Sequence, residues 1–265
     1  MEAIEQMTKY EIISTVISTT ALALSILIPL LQWIWRKWII TEKVKYYSTS
    51  QANLFFNQSG AYMRIYGIVE SERKSTTIKK LKIIVTRKRD DQKLNLTWSY
   101  LISPVSQNML GNYIQTLEVA HPFRVEADSI ACAFVEYSDF SDSSGIKIRS
   151  LCANLASEIQ EITPDSNYDQ AIKRFSNSSN YLGAKSQIAN DFFWEAGKYA
   201  VDIVVEYGKR GTKSFPYEFS ISEKDYFDLQ KNIDEILIAQ LKSHYGIRPN
   251  FHSPMIEISE RKIDI

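Results

Sequence analysis

The apolar residues near the start of the chain form a block with no period. From Ile12 to Trp35 (IISTVISTTALALSILIPLLQWIW), 24 consecutive positions carry no charge. At about 1.5 Å rise per residue, roughly 20 apolar residues of helix cross the hydrocarbon core of a bilayer, so the block predicts a membrane-spanning helix. The hydroxyls of Ser14, Thr15, Ser18, Thr19, Thr20 and Ser25 can return to carbonyls one turn back and do not disqualify it. Pro29 is expected to bend it. Trp33, Trp35 and Trp38, beside Arg36 and Lys37, read as an interfacial anchor with rings and cations at the headgroups. A buried core helix is the plainer alternative, but the run exceeds core-helix length. A cleaved signal peptide is opposed by Glu2, Glu5 and Glu11, and by the apolar run continuing past Ala21-Leu22-Ala23. No later window reaches membrane length, so one crossing is expected.

From about Lys45 the period becomes two. Met63, Ile65, Gly67 and Val69 alternate with Tyr62, Arg64, Tyr66 and Glu70, and Leu81, Ile83 and Val85 with Lys80, Lys82 and Thr86. Such alternation predicts half-buried strands. Arg89–Gln92 reads as a tight turn into a strand over 93–98, followed by strands over 123–125 and 130–137. Ile148, Leu151, Cys152, Leu155, Ile159 and Ile162 then fall on one helical stripe that Pro164 ends, and a shorter helix is expected over 166–175. Asn177–Asn180 reads as a loop, and 181–190 shows no readable period. Two strands follow, with Val201, Ile203 and Val205 on the first and Phe215, Tyr217, Phe219 and Ile221 on the second, joined by a turn over 208–211. Ser222 caps a helix whose apolar face holds Tyr226, Leu229, Ile233, Ile236, Leu237 and Leu241, ended by Gly246 and Pro249.

The segment Glu195-Ala-Gly-Lys-Tyr199 resembles the turn before the penultimate strand of immunoglobulin-like sandwiches, where a glycine bends the chain and a tyrosine hydroxyl caps the corner. The expected fold is therefore mainly β with helices: one transmembrane helix, then an immunoglobulin-like β-sandwich with a helical insertion and a C-terminal amphipathic helix. The expected divisions are a short tail 1–11, the anchor 12–40, the sandwich 45–225 with its insertion at about 146–176, the helix 222–246, and a tail 247–265 with one added strand at 255–258.

Charge and chemistry refine this picture. The chain of 265 residues balances 31 basic against 31 acidic side chains, which excludes a basic nucleic-acid coat protein and an acidic disordered tail. Beyond Trp35, 30 basic and 28 acidic side chains leave a formal charge of +2, so no duplex nucleic acid is expected as a partner. One cation, Lys9, precedes the apolar block and Arg36, Lys37, Lys43 and Lys45 follow it. The positive-inside rule then places the N-terminus outside and the rest in the cytoplasm, at a cell inner membrane. Cys132 and Cys152, both on apolar faces, fit a reducing compartment as buried thiols. Sequons at Asn57, Asn95 and Asn177 are near the roughly two expected by chance.

His121, His244 and His252 are too scattered for a metal site, and His121 reads as a loop cap. No P-loop, nucleophile elbow or dinucleotide fingerprint occurs, so neither a catalytic residue nor a cofactor is expected. Glu158/Glu161 and Asp90/Asp91 read as solvated pairs. Lys79, Lys80, Lys82, Arg87, Lys88, Arg89 and Lys93 make a basic cluster that reads first as a lysine-protected strand, then as a contact for anionic lipid or a polyanion.

Two functions compete. One is a membrane-anchored interaction or sensing module that binds a protein partner through its β-domain. The other follows from layout: an N-terminal anchor before a cytoplasmic β-rich domain resembles membrane-anchored effectors of bacterial cyclic-nucleotide (CBASS- and Pycsar-type) antiphage defence. That resemblance implies a small nucleotide ligand and oligomeric membrane disruption. The chain departs from the two-helix anchor of such effectors by its single crossing. Its helices would have to self-associate, and Ser14, Ser18, Ala21 and Ser25 offer a small-residue face for it.

Overall fold

The computed structural model describes residues 9–35, 41–104, 106–107, 113–138, 143–163 and 167–261. Helix α1 (Lys9–Ile34) contains the apolar block and Pro29. It is long and apolar enough to cross a membrane, and none of its 24-residue apolar stretch is buried against the rest of the protein. Thr15, Thr19 and Thr20 donate to carbonyls four residues back and Ser25 to the carbonyl of Leu22, at 2.6–2.7 Å.

The remainder is a closed barrel, and the sandwich expectation is overturned by its pairing. The strands are β1 (Lys43–Asn57), β2 (Gly60–Glu72), β3 (Thr76–Arg87), β4 (Lys93–Ile102), β5 (Ser106–Gln107), β6 (Tyr113–Ile114), β7 (Leu117–Val119), β8 (Phe123–Val125), β9 (Ser129–Ser138), β10 (Gly197–Tyr207), β11 (Gly211–Ile221) and β12 (Met255–Glu260). Their order runs β4-β9-β2-β1-β12-β11-β10-β3, and β3 pairs back onto β4, closing an antiparallel ring of eight. A sandwich needs two sheets with free edges, whereas here Lys82↔Thr97 on one side of β4 and Leu101↔Val135 on the other leave no break. The alternation legible in the sequence is thus inward and outward of one wall. Met63, Ile65, Leu81, Ile83, Val201 and Ile203 fill the interior, all fully buried.

The barrel has two unlike ends. At the near end the chain enters from α1 and turns connect β2 to β3, β8 to β9 and β10 to β11. In that half β4 leaves the wall in company with β7, which pairs with its Tyr100–Ile102, and β8 takes the vacated place beside β3. At the far end, Gly145 of α2 (Ser143–Ile162) abuts the β1–β2 turn at Ser59. Helices α3 (Tyr168–Ser176), α4 (Ser179–Asn190) and α5 (Glu223–His244) pack with α2. The helical insertion therefore extends from 143 to 190. α4 occupies the stretch without readable period, capped by Ser178, whose hydroxyl accepts from the amide of Tyr181. The proposed end of α2 at Pro164 lies outside the described residues.

The added strand near the C-terminus has a larger part than a tail would. β12 lies between β1 and β11 and is short, pairing with Gln51–Asn53 on one side and Tyr217–Phe219 on the other. Towards the near end β1 and β11 meet without it, and side chains replace ladder bonds. Lys213 Nζ donates to the Val44 carbonyl at 3.1 Å, and the Tyr217 hydroxyl donates to the Tyr46 carbonyl and accepts from the Ser48 amide, both at 3.2 Å.

Candidate functional site

The barrel interior is the usual place for a ligand in a small barrel, but here side chains occupy it. Tyr46 and Tyr137 enter it with hydroxyls that are buried and meet no hydrogen-bond partner among the described residues. Burial raises both phenols well above their ordinary range. Gly67 makes room: a Cβ there would overlap the Tyr46 phenol. Tyr46 also packs edge-on to Tyr217, 6.1 Å between centroids, behind the side-chain seam.

The Glu195–Tyr199 turn is a tyrosine-capped corner, set in a barrel. The Tyr199 hydroxyl accepts from the Glu195 amide at 2.7 Å and donates to the Glu195 carbonyl at 2.9 Å. Gly197 sits at φ +142°, where a side chain would be strained. Arg87 joins this corner to the β3–β4 turn. Only 7% exposed, it holds Asp90 through two bonds of 2.9 and 2.7 Å, Glu195 at 2.7 Å and the Phe193 carbonyl at 3.1 Å. Its hydrogen bond to Asp90 and the charge of Glu195 raise its pKa further, and the same bond holds the Asp90 carboxyl below its usual range.

This arrangement divides the basic cluster read from the sequence. Arg87 is a structural clamp; Arg89 meets Glu195 at 2.6 Å, Lys88 meets Glu218 at 2.7 Å and Lys82 meets Glu206 at 2.5 Å. Lys93 is exposed at the far end, at the start of β4. Lys79 and Lys80 lie at the opposite end of β3, beside the β10–β11 turn. The cluster is therefore not one patch.

The clefts lined by described residues are open and external. One of about 340 Å³ between α4 and α5 carries Lys185, Phe227, Lys231 and Asp234. Its lysines are already matched, Lys185 to Asp234 and Lys231 to Asp228, each at 2.7 Å. Tyr181 donates to Asp234 at 2.5 Å; burial, then that bond, raises its phenol. Among the described residues no three His, Cys, Asp or Glu side chains group as a metal site. His121 Nδ1 lies 3.1 Å from the Val119 carbonyl. Cys152 is half-buried, its thiol pushed up by burial, whereas Cys132 is exposed on β9 rather than buried, because its side faces out of the wall.

Of the anchor residues, Trp33 and Trp35 are exposed at the end of α1, while Arg36, Lys37 and Trp38 lie outside the described residues. Ser14, Ser18, Ala21 and Ser25 are exposed on α1, uncovered by the other described residues. A residue that sequence reasoning passed over is Asn232. It is fully buried in the apolar face of α5, and its side chain donates to the His252 carbonyl at 2.8 Å and accepts from the His252 amide at 2.7 Å. That two-way bond directs the chain from α5 into β12. A second feature is the exposed apolar pair Leu117 (52%) and Val119 (70%) on β7, whose outer edge pairs with no described strand.

Comparison with known proteins does not add to this geometry: no family model, no curated protein and no solved structure matches the chain.

Proposed function

We propose that the chain is a single-pass membrane protein whose β-barrel works as an interaction module through its outer surface. The observation that carries this reading is the contrast between α1 and the barrel. A predominantly apolar helical stretch of 24 residues is left uncovered by the rest of the described chain, which in water would be a large aggregation liability and in a bilayer is ordinary. The barrel, in turn, is packed solid with Met63, Ile65, Leu81, Ile83 and their neighbours. Its outward features are the open edge and apolar pair of β7, suited to an added strand with small apolar side chains. The positive-inside rule places the barrel in the cytoplasm.

The test uses the full chain. It should remain with membranes through alkaline carbonate, and a cytoplasmic protein partner should co-purify with it in mild detergent. Leu117→Glu with Val119→Glu should lose that partner while leaving membrane retention intact. Extraction by carbonate, or a partner unaffected by the double change, would refute the reading.

A second reading, an oligomeric membrane-disrupting effector, draws support from α1 alone. Thr15, Thr19, Thr20 and Ser25 satisfy their hydroxyls within the helix. Ser14 and Ser18 lie on the uncovered face, free to bond a neighbouring helix. Dye leakage from expressing cells that disappears on Ser14→Leu with Ser18→Leu would favour it; intact cells at high expression count against it.

A further inference from the structure

We propose that the near end of the barrel docks flat on the anionic lipid of the leaflet from which α1 emerges, so that the module is held against the membrane and does not swing freely on its tether. The proposal rests on the reading of α1 as a membrane span and adds an orienting contact to it.

The first ground is reach. Seven residues, 36–42, separate Trp35 from β1. Fully extended at about 3.5 Å per residue, that connection spans roughly 28 Å. Glu42 is fixed on the barrel already, its carboxylate accepting from Thr76 at 2.8 Å. The near end is therefore never more than about 28 Å from the headgroups.

The second ground is which charges remain free there. Arg73 and Lys74 project from the β2–β3 turn, Lys209 and Arg210 from the β10–β11 turn, and Lys79 and Lys80 stand between them on β3. Pairing of Tyr207 with Ile78, and the Gly208 amide bond to the Thr77 carbonyl at 2.9 Å, bring the second turn against the start of β3. Lys79 Nζ donates to the Lys209 carbonyl at 3.2 Å, which ties that turn down. None of these six cations meets a carboxylate of the described residues. Of the acids at the same end, Glu72 meets Lys43 and Lys45, Glu126 meets Arg124 and Glu206 meets Lys82, while Glu70, Glu42 and Asp128 take hydrogen bonds from the Tyr47 hydroxyl, the Thr76 hydroxyl and the Arg73 amide. At the far end Arg87, Lys88 and Arg89 are neutralised locally. The six free cations outnumber the four acids there, Glu42, Glu70, Glu118 and Asp128, that meet no Lys or Arg of the described residues, so a surplus of positive charge lies on the surface that the tether holds near the bilayer. An anionic leaflet attracts each such residue, and withdrawing one weakens association about fivefold. Ile130, 66% exposed and paired in register with Glu70, adds an apolar side chain at the same end.

The test reconstitutes the full chain, with Cys152→Ala, into vesicles and places a donor dye on the exposed Cys132, with an acceptor on the lipid headgroups. Vesicles are phosphatidylcholine alone or contain about one-third phosphatidylglycerol. Energy transfer should be higher in the anionic vesicles and fall to the neutral value in about 0.5 M salt, where screening shortens to a few ångströms. Arg73→Glu, Lys74→Glu, Lys209→Glu and Arg210→Glu together should abolish the difference, while Lys93→Glu at the far end should not. The salt arm needs no variant, so a folding defect in the fourfold change leaves a decisive measurement. Equal transfer in both vesicle types, or transfer indifferent to salt, overturns the docking while leaving the anchor intact. Loss of the chain from the vesicles in alkaline carbonate overturns the anchor reading itself, and the docking with it.

Discussion

Single side chains carry much of the organisation. The Tyr199 hydroxyl serves both the amide and the carbonyl of Glu195. Tyr199→Phe leaves both without a partner in a buried corner, and denaturant unfolding should show a loss of about 1–2 kcal/mol. An unchanged midpoint would mean that water replaces the hydroxyl. This corner was legible in the sequence because it is local: glycine and tyrosine two residues apart suffice to form it. What it could not convey was the fold around it, since the same corner closes a barrel as readily as a sandwich. Arg87 illustrates the opposite case. In the sequence it is one of seven cations, and only the fold shows that Asp90, five-residue neighbour Gln92 and the distant Glu195 converge on it.

At the scale of elements, strands and their hairpin partners were readable, and their long-range partners were not. Alternation gives each strand an inner and an outer face, but the decisive pairs, β3 with β10 and β1 with β12, join positions far apart in sequence. α4 escaped notice because its buried face is thin, with only Tyr181, Ala184 and Ile188 at one-turn spacing. Asn232 escaped for a different reason: a polar residue within an apolar stripe looks like an interruption. It is the link that sets the path of β12. Asn232→Leu leaves the His252 amide and carbonyl unpaired, and should lower stability by roughly 2–3 kcal/mol. Hydrogen exchange should locate the effect, with the amides of β12 and the facing β1 residues opening first. Uniform acceleration across the barrel would show that β12 has no independent mobility.

For the molecule as a whole, alkaline pH is the sharpest probe. Burial raises the phenols of Tyr46 and Tyr137 well above the ordinary 10.0, and that of Tyr62, through burial and the charge of Glu136, to about 12. The folded state thus favours the protonated form. Its contribution to stability is complete below pH 10 and is lost as pH rises towards the folded values. Phenolate absorbance from the buried tyrosines should therefore rise only in step with loss of the barrel's circular dichroism. One smooth wave with the fold retained would contradict the packed interior. The order of the strands carries a last consequence, for biosynthesis. β12 is the final strand of the ring to leave the ribosome, and at roughly 5–20 residues per second it follows α1 by on the order of ten seconds or more. On the proposed reading of α1 as a membrane span, α1 engages the insertion machinery during that interval while β1 waits with an unpaired edge. On that reading the nascent barrel is most exposed to misassembly while it is held at the membrane, and its closure is a late, post-insertion event.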